Sequence, residues 1–140
     1  MRRLGWMAAT LAAMATAGCA YTAQDTTDRG LSPQQMALME RELGGKVAGR
    51  PMSCIPTHST NDLVRVSDSV LLYRVGSNLV YKNELRGSCP GLSRDSDVIV
   101  SEVRGAGPCS GDIIRLVDRA TGMYHGSCAL GDFVPFRREN

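Results

Sequence analysis

The sequence predicts a small, mainly β domain, an antiparallel sheet, sandwich or barrel with two disulfides, preceded by one short N-terminal helix. Three observations favour this fold class. Short runs rich in valine, isoleucine and leucine recur every 8–12 residues between turn residues, as in all-β domains. Four cysteines lie far apart in the same region. Large aromatic residues are scarce, so the core is expected to consist of aliphatic side chains. Roughly 120 residues outside the N-terminal leader are enough for one domain.

The N-terminal segment has the order of parts found in a secretory signal. Arg2 and Arg3 are followed by an apolar run over residues 4–14, then by the small residues 15–18 and Cys19. This order is typical of a signal that is removed on export. The apolar run is too short for a membrane-spanning helix, which needs roughly 20 apolar residues. We therefore expect residues 1–18 to be a signal peptide.

The end of this segment resembles the cleavage box of bacterial lipoproteins. Ala17, Gly18 and Cys19 match the box, whereas Thr16 stands where leucine is usual. The resemblance implies that Cys19 carries lipid and anchors the chain to a membrane. Ala20 rather than aspartate follows the cysteine. By the same resemblance, this favours anchoring at the periplasmic face of the outer membrane over anchoring at the inner membrane. The alternative is cleavage after residues 15–17, an A-x-A site, which would give a soluble periplasmic or secreted protein.

The number of cysteines agrees with lipidation of Cys19. Five cysteines are present, and removing Cys19 leaves an even set suited to two disulfides in an oxidising compartment: Cys54, Cys89, Cys109 and Cys128. Three pairings are open. We favour Cys89–Cys109, which would tie the loops on either side of one strand, with Cys54–Cys128, which would fasten the start of the domain to its end. The spacings of 35, 20 and 19 residues contain no close pair, so no zinc or other metal site is expected.

The segments before the β domain have clear boundaries. Residues 19–31 are polar and threonine-rich, which predicts a flexible tether. Residues 32–48 hold the short helix, expected over 33–43. Ser32 and Gln35 can form a capping box, and Pro33 suits the first helical position. Gly44 and Gly45 should end the helix. Met36, Met39 and Leu43 recur at helical spacing, either packing on the domain or forming a partner-binding face.

The β domain is expected over residues 52–137, with six or so strands. A hairpin is predicted from residues 70–75 and 78–82, because Gly76-Ser77 suits a two-residue type II′ turn. The other strands are expected within residues 63–66, 98–103, 112–117, 123–127 and 130–136. The segment 83–95 is predicted to be a loop that is cross-linked to the domain through Cys89. Closure of the sheet into a barrel is not readable from the sequence.

Charge excludes one class of partner. The chain has 16 basic and 14 acidic residues, and loss of Arg2 and Arg3 with the signal leaves 14 of each. No basic stripe is left to hold a polyanion, so nucleic acid is not expected as a partner.

Candidate catalytic residues are few, and no motif supports them. His58 and His125 are expected to be solvated, and Asp95 and Asp97 to lie exposed at the start of a strand. Asp112 and Asp132 each follow a cysteine and a glycine within a weak internal repeat. Shared turn chemistry explains that repeat, with a common ligand site as the alternative. We expect no catalytic residue, no cofactor and no enzyme activity.

The pattern from Cys54 to Phe136 is similar to a family of small bacterial envelope proteins, often lipoproteins, whose function is not known. The residues that carry the resemblance are Cys54-Ile55, the hairpin 72–81, Cys89-Pro90, and the segments 109–112 and 128–131. The resemblance implies a topology and a compartment but no activity.

Together these observations predict a lipid-anchored cell-envelope protein with a structural or protein-binding role. The alternative is a periplasmic inhibitor or ligand-binding module. The expected partners are the membrane, through the N-terminal lipid, and an envelope protein. The sequence does not indicate an oligomeric state.

Overall fold

The described part of the chain folds into one helix and two antiparallel sheets. The computed structural model describes residues 30–56, 58 and 62–139. The predicted signal peptide, Cys19 and most of the predicted tether lie outside these residues. The elements are α1 (Pro33–Leu43), β1 (Val47–Ala48), β2 (Leu63–Arg65), β3 (Val70–Arg74), β4 (Leu79–Glu84), β5 (Asp97–Ser101), β6 (Ile113–Asp118), β7 (Tyr124–Ala129) and β8 (Phe133–Arg137).

The strands form two separate sheets. The first has the order β1-β8-β4-β3-β2 and the second β5-β6-β7, and neighbouring strands are antiparallel. The predicted fold class is therefore confirmed: mainly β, antiparallel, with two disulfides and one short helix. Across the described residues the strands do not close into a barrel.

The helix has the predicted bounds, and its capping box is formed. The Ser32 hydroxyl accepts the backbone N–H of Gln35 at 3.3 Å, and the Gln35 side chain accepts the N–H of Ser32 at 2.8 Å. At the other end, a Cβ on Gly44 would lie 2.5 Å from the Glu40 carbonyl oxygen, and Gly45 has φ +71°. Glycine is thus required at the C-terminal end for space and for backbone conformation.

One face of α1 packs on the first sheet. Leu38, Met39 and Leu43 contact a small cluster of buried side chains on that sheet: Val66, Val70, Leu72 and Val80. Met36 of the same stripe is 46% exposed. The packing interpretation of the methionine stripe is therefore correct for Met39, whereas Met36 lies at the rim of the contact.

The main core lies between the two sheets. Leu71, Tyr73, Tyr81 and Phe133 project from the first sheet, and they meet buried residues of the second sheet and its flanking segments: Ile114, Leu116, Leu130, Cys89 and Leu92. The rings of Tyr73 and Phe133 meet edge to face at 5.5 Å. Because α1 covers the opposite face of the first sheet, most of β3 is buried on both sides.

One strand was not predicted, and one local prediction is wrong. Val47 and Ala48, which follow the helix within the segment 32–48, form β1 and pair with Arg137 and Phe136 of β8. The hairpin turn contains three residues rather than two, since the N–H of Val75 bonds to Leu79 O at 3.0 Å. Gly76 does not have the positive φ that a type II′ turn needs at its first central position.

A buried amide fixes the last strand beside β4. Asn83 is fully buried, and its side chain donates to Gly131 O at 2.7 Å and accepts from Gly131 N at 3.1 Å. Gly131 is held so close to β4 that an added Cβ would overlap the Glu84 carbonyl oxygen. This contact places β8 between β1 and β4, a position that chain order does not reveal.

The predicted disulfide pairing is wrong, although all four cysteines are paired. The bonds are Cys54–Cys109 and Cys89–Cys128. Cys54 forms an antiparallel bridge with Cys109, which precedes β6. Cys128 lies opposite Ile114 on the inner face of the second sheet and meets the fully buried Cys89. The prediction failed because spacing does not show which segments the fold brings together: Cys54 lies beside the segment before β6, and Cys89 meets β7.

We expect the two disulfides to be reduced in a fixed order. Their separations of 55 and 39 residues each correspond to about 4 kcal/mol of stabilisation in the chain-entropy model. Cys54 is exposed and Cys89 is fully buried, so a mild reductant should open Cys54–Cys109 first. Timed alkylation followed by peptide mass mapping measures this order. Equal labelling of all four cysteines in the native protein would contradict it, and denatured protein is the control in which the order should vanish.

Gly131→Ala should destabilise the fold, whereas Gly126→Ala should not. The first change places a methyl group on the Glu84 backbone, so the cost is about 2–3 kcal/mol. Gly126 has no atom within 4 Å of an added Cβ and no positive φ, so its change should stay under about 1 kcal/mol. Denaturant unfolding of both variants checks the difference, and equal stabilities would show that β8 can shift to make room.

Candidate functional site

The structure brings together an aspartate from the first strand of the second sheet and a histidine from its last strand. Asp97 is the first residue of β5 and is 1% exposed. His125 lies on β7, with 39% of its side chain exposed. Its Nδ1 is 3.1 Å from Asp97 Oδ2. The two residues belong to the outer strands of the sheet, so the contact crosses the end of β6.

A β-bulge places His125 for this contact. Leu116 of β6 pairs with Gly126, whereas the next residue, Val117, pairs with Tyr124. His125 is therefore the extra residue of the bulge, and it leaves the regular alternation of β7. Bulges commonly redirect one side chain in this way. Here the result is that the ring reaches the buried carboxylate.

Asp97 makes two further contacts, one through its carboxylate and one through its backbone. The Ser96 hydroxyl donates to Oδ1 at 3.3 Å, and Arg65 Nη2 donates to the backbone oxygen of Asp97 at 2.7 Å. Within the described residues, Asp97 is the only hydrogen-bond partner of the His125 ring. This hydrogen bond fixes the orientation of the ring and satisfies a buried carboxylate.

The turn after β6 shapes the same end of the sheet. Asp118 Oδ1 accepts the backbone N–H of Thr121 at 2.7 Å, the Thr121 hydroxyl at 2.8 Å and the N–H of Ala120 at 2.9 Å. These bonds hold the pKa of Asp118 below its usual 3.8, and the bond from the Thr121 backbone has the largest effect. The charge of His125 also lowers this pKa. The turn therefore keeps a carboxylate ionised beside the bulge.

A groove lined by arginines lies next to this pair. We call it the arginine groove; it has a volume of about 570 Å³ and is lined by Leu38, Arg41, Leu63, Val64, Arg65, Asp95 and Arg119. It runs along β2, the edge strand of the first sheet, between α1 and the ends of β5 and β6. Arg65 connects the groove to the pair through its bond to Asp97.

The outer face of the second sheet is apolar and uncovered. Val98, Val117 and Tyr124 lie side by side across the three strands, and Val100 and Ile113 share their face. We call these five residues the outer-face patch. Four of them are well exposed: Val98 at 38%, Ile113 at 40%, Val100 at 43% and Tyr124 at 57%.

The structure places the candidate residues of the sequence as follows. His58 and Asp95 are exposed, as expected. His125 is hydrogen-bonded on one side and exposed on the other. Asp97 is buried, so the expectation of an exposed residue is wrong. Strict alternation from Ile99 would have put Asp97 on the inner face, but the unbroken apolar run 98–100 hides which residues face inward.

The weak internal repeat reflects turns at the start of two strands. The Asp112 carboxylate accepts the backbone N–H of Cys109 at 2.8 Å, a short-range turn bond. The two repeat segments also pair with each other, since Gly111 N bonds to Leu130 O at 2.8 Å. Asp132 is exposed.

Burial raises the pKa of Tyr73 to about 12, and the negative charge of Asp112 adds to this effect.

The described residues contain no group of three or more histidine, cysteine, aspartate or glutamate side chains placed to hold a metal ion. In the same part of the chain, no helix has the length and apolar character needed to cross a bilayer. Comparison with protein-family models, curated proteins and solved structures found no match.

Thr121→Val should raise the pKa of Asp118, because it removes the hydroxyl hydrogen bond that favours the ionised carboxylate. A carboxyl pKa that is depressed in the folded state stabilises the fold above the unfolded pKa, and this contribution is lost as pH falls through the folded value. The variant should therefore begin to lose it at higher pH. Carboxyl-carbon NMR titration measures the pKa. Thr121→Ser retains the hydroxyl and is the control; equal pKa values in all three proteins would refute this account.

Proposed function

We propose that this protein is a lipid-anchored cell-envelope protein that binds a protein partner through the outer-face patch and does no catalysis. The observation that carries the proposal is the exposure of that patch. Its residues form one side of a regular sheet, so their positions are fixed by backbone pairing rather than by a mobile loop. An exposed apolar surface that the fold holds in place suits association with another protein.

The composition of the patch supports a protein as the partner. Tyr124 is its largest and most exposed member, and tyrosine is enriched in protein interfaces. Arg115, on the same face, pairs with Glu102 at 2.8 Å, so the charges of these two side chains balance each other. A partner can cover the patch without leaving an unpaired charge beneath it.

The N-terminal features and the disulfides support the anchor and the compartment. The signal-like segment and Cys19 give the chain a route out of the cytoplasm and a site for lipid. The two disulfides suit an oxidising environment. The 13 residues between Cys19 and the helix reach at most about 47 Å when extended. The domain would thus stay near the periplasmic face of the outer membrane, with soluble periplasmic protein as the alternative.

The Asp97–His125 pair supports a structural reading over catalysis. Its hydrogen bond satisfies a carboxylate that is 1% exposed, and the bulge holds the ring in place for that purpose. A general base acts on a nucleophile or a water within hydrogen-bond reach, and the bond observed here instead serves the sheet itself. An inhibitory or ligand-binding role remains compatible with the patch.

One experiment in intact cells tests both halves of the proposal. A photoreactive phenylalanine derivative replaces Tyr124 in the full chain, and the matched control carries it at Gln34, an exposed residue of α1. Irradiation should give a discrete protein adduct from position 124 and none from position 34. The adduct should be in the membrane fraction and should fall in yield when Val98→Asp is added, because a charge then enters the centre of the contact.

The anchor is tested in the same cells. Cys19→Ser should move the protein from the membrane to the soluble envelope fraction, and the mass of the N-terminal peptide should lose its acyl chains. Adducts of equal yield from both positions, or from the Val98→Asp protein, would refute the patch. A chain that stays in the membrane fraction after Cys19→Ser would refute the lipid anchor without affecting the patch.

A further inference from the structure

We propose that the arginine groove binds an extended acidic segment of a polypeptide, which adds to the free edge of β2 as a further strand. This inference does not rest on the proposed function, since it uses neither the lipid anchor nor the outer-face patch. It follows from three features of the groove: unpaired backbone groups, unbalanced positive charge and an apolar floor.

The backbone of β2 has hydrogen-bonding groups that face the groove. Asp62 and Val66, on either side of β2, bond to Arg74 and Val70 of the β3 hairpin arm. In an antiparallel pair, alternate residues bond to the same neighbour, so the N–H and C=O groups of Leu63 and Arg65 point away from β3. They have no backbone partner in the part of the chain that the structure describes. Such an edge is the template on which an added strand pairs.

The arginines of the groove are poorly neutralised by the protein. Glu42 accepts from Arg74 at 2.8 and 3.0 Å, so its contact with Arg41 is a longer 3.4 Å. The Arg65 guanidinium is fixed by the backbone oxygens of Arg94 and Asp97 rather than by a carboxylate.

Arg119 completes the positive lining. It is exposed, and it has no ion pair within the described residues. Asp95 is the single acidic residue that lines the groove, against three arginines. The groove therefore has a net positive charge that an acidic ligand would balance.

The shape of the groove favours a peptide over a small anion. Its volume of about 570 Å³ lies in the range of ligand pockets and far exceeds that of one carboxylate. Arg41 lies on the α1 side of β2, and Arg65 and Arg119 lie on the side of the second sheet. Side chains of an added strand alternate between these two sides, so acidic residues could meet arginines on both. Leu38, Leu63 and Val64 give an apolar floor for the residues between them.

The test uses the full chain in detergent and the peptide acetyl-Glu-Val-Glu-Glu-Val-Glu-amide. This peptide places glutamate on both sides of an added strand. Binding is measured by calorimetry, and added strand pairing by hydrogen exchange at the amides of Leu63 and Arg65. We expect saturable binding that weakens as salt is raised, with new protection at both amides. The variants Arg41→Ala and Arg119→Ala should each weaken binding roughly two- to fivefold.

The control variant is Arg104→Ala, an exposed arginine outside the groove, which should bind the peptide as the wild type does. Melting temperatures confirm that all three variants fold. The probes for other occupants are the matching lysine peptide, inorganic phosphate and glycerol phosphate, the headgroup unit of an anionic lipid.

Four results would each overturn the proposal. Equal binding of the lysine peptide would show that charge does not select the ligand. Binding without protection of the two amides would exclude strand addition. Phosphate or glycerol phosphate competing as well as the acidic peptide would indicate a simple anion or headgroup site. Absence of peptide binding at millimolar concentration would mean that the arginines only keep the sheet edge from pairing with other chains.

Discussion

The fold depends on one apolar interface between two small sheets. The second sheet has three strands and buries only its inner face, through Ile114 and Leu116. The buried residues of this face pack on the first sheet, so the two sheets share one core. Cys54–Cys109 ties the segment before β2 to the segment before β6, and Cys89–Cys128 lies in the core itself. The interface and its cross-links therefore act as a single constraint.

This arrangement decides which surfaces are left for function. α1 covers part of one face of the first sheet, and the second sheet packs on the other face. The surfaces that stay open include the outer face of the second sheet and the β2 edge of the first. The outer-face patch and the arginine groove are these two places. Both owe their form to rigid strands, and the groove also uses α1 and the turn after β6.

The end of the second sheet combines structural roles within a few residues. The bulge at His125 brings the ring to Asp97, and Asp97 also accepts a bond from Arg65 through its backbone. Arg65 in turn lies in the edge strand of the first sheet. Asp97 therefore has two roles: its buried carboxylate bonds to His125, and its backbone oxygen fixes one arginine of the groove. The sequence gives no motif for this arrangement, because its members are 28 and 32 residues apart.

The amino-acid sequence by itself determined the features that depend on near neighbours. The capping residues of α1, the glycines that end it, the β-rich runs and the presence of two disulfides were all readable, because each follows from local chemistry or from counting. The tertiary structure decided the rest: the disulfide pairing, the place of β8 beside β4, the three-residue hairpin turn and the burial of Asp97. These depend on which faces meet across the core. Spacing along the chain carries no record of that choice, since packing and the Asn83–Gly131 contact select the partners only when the whole domain is assembled.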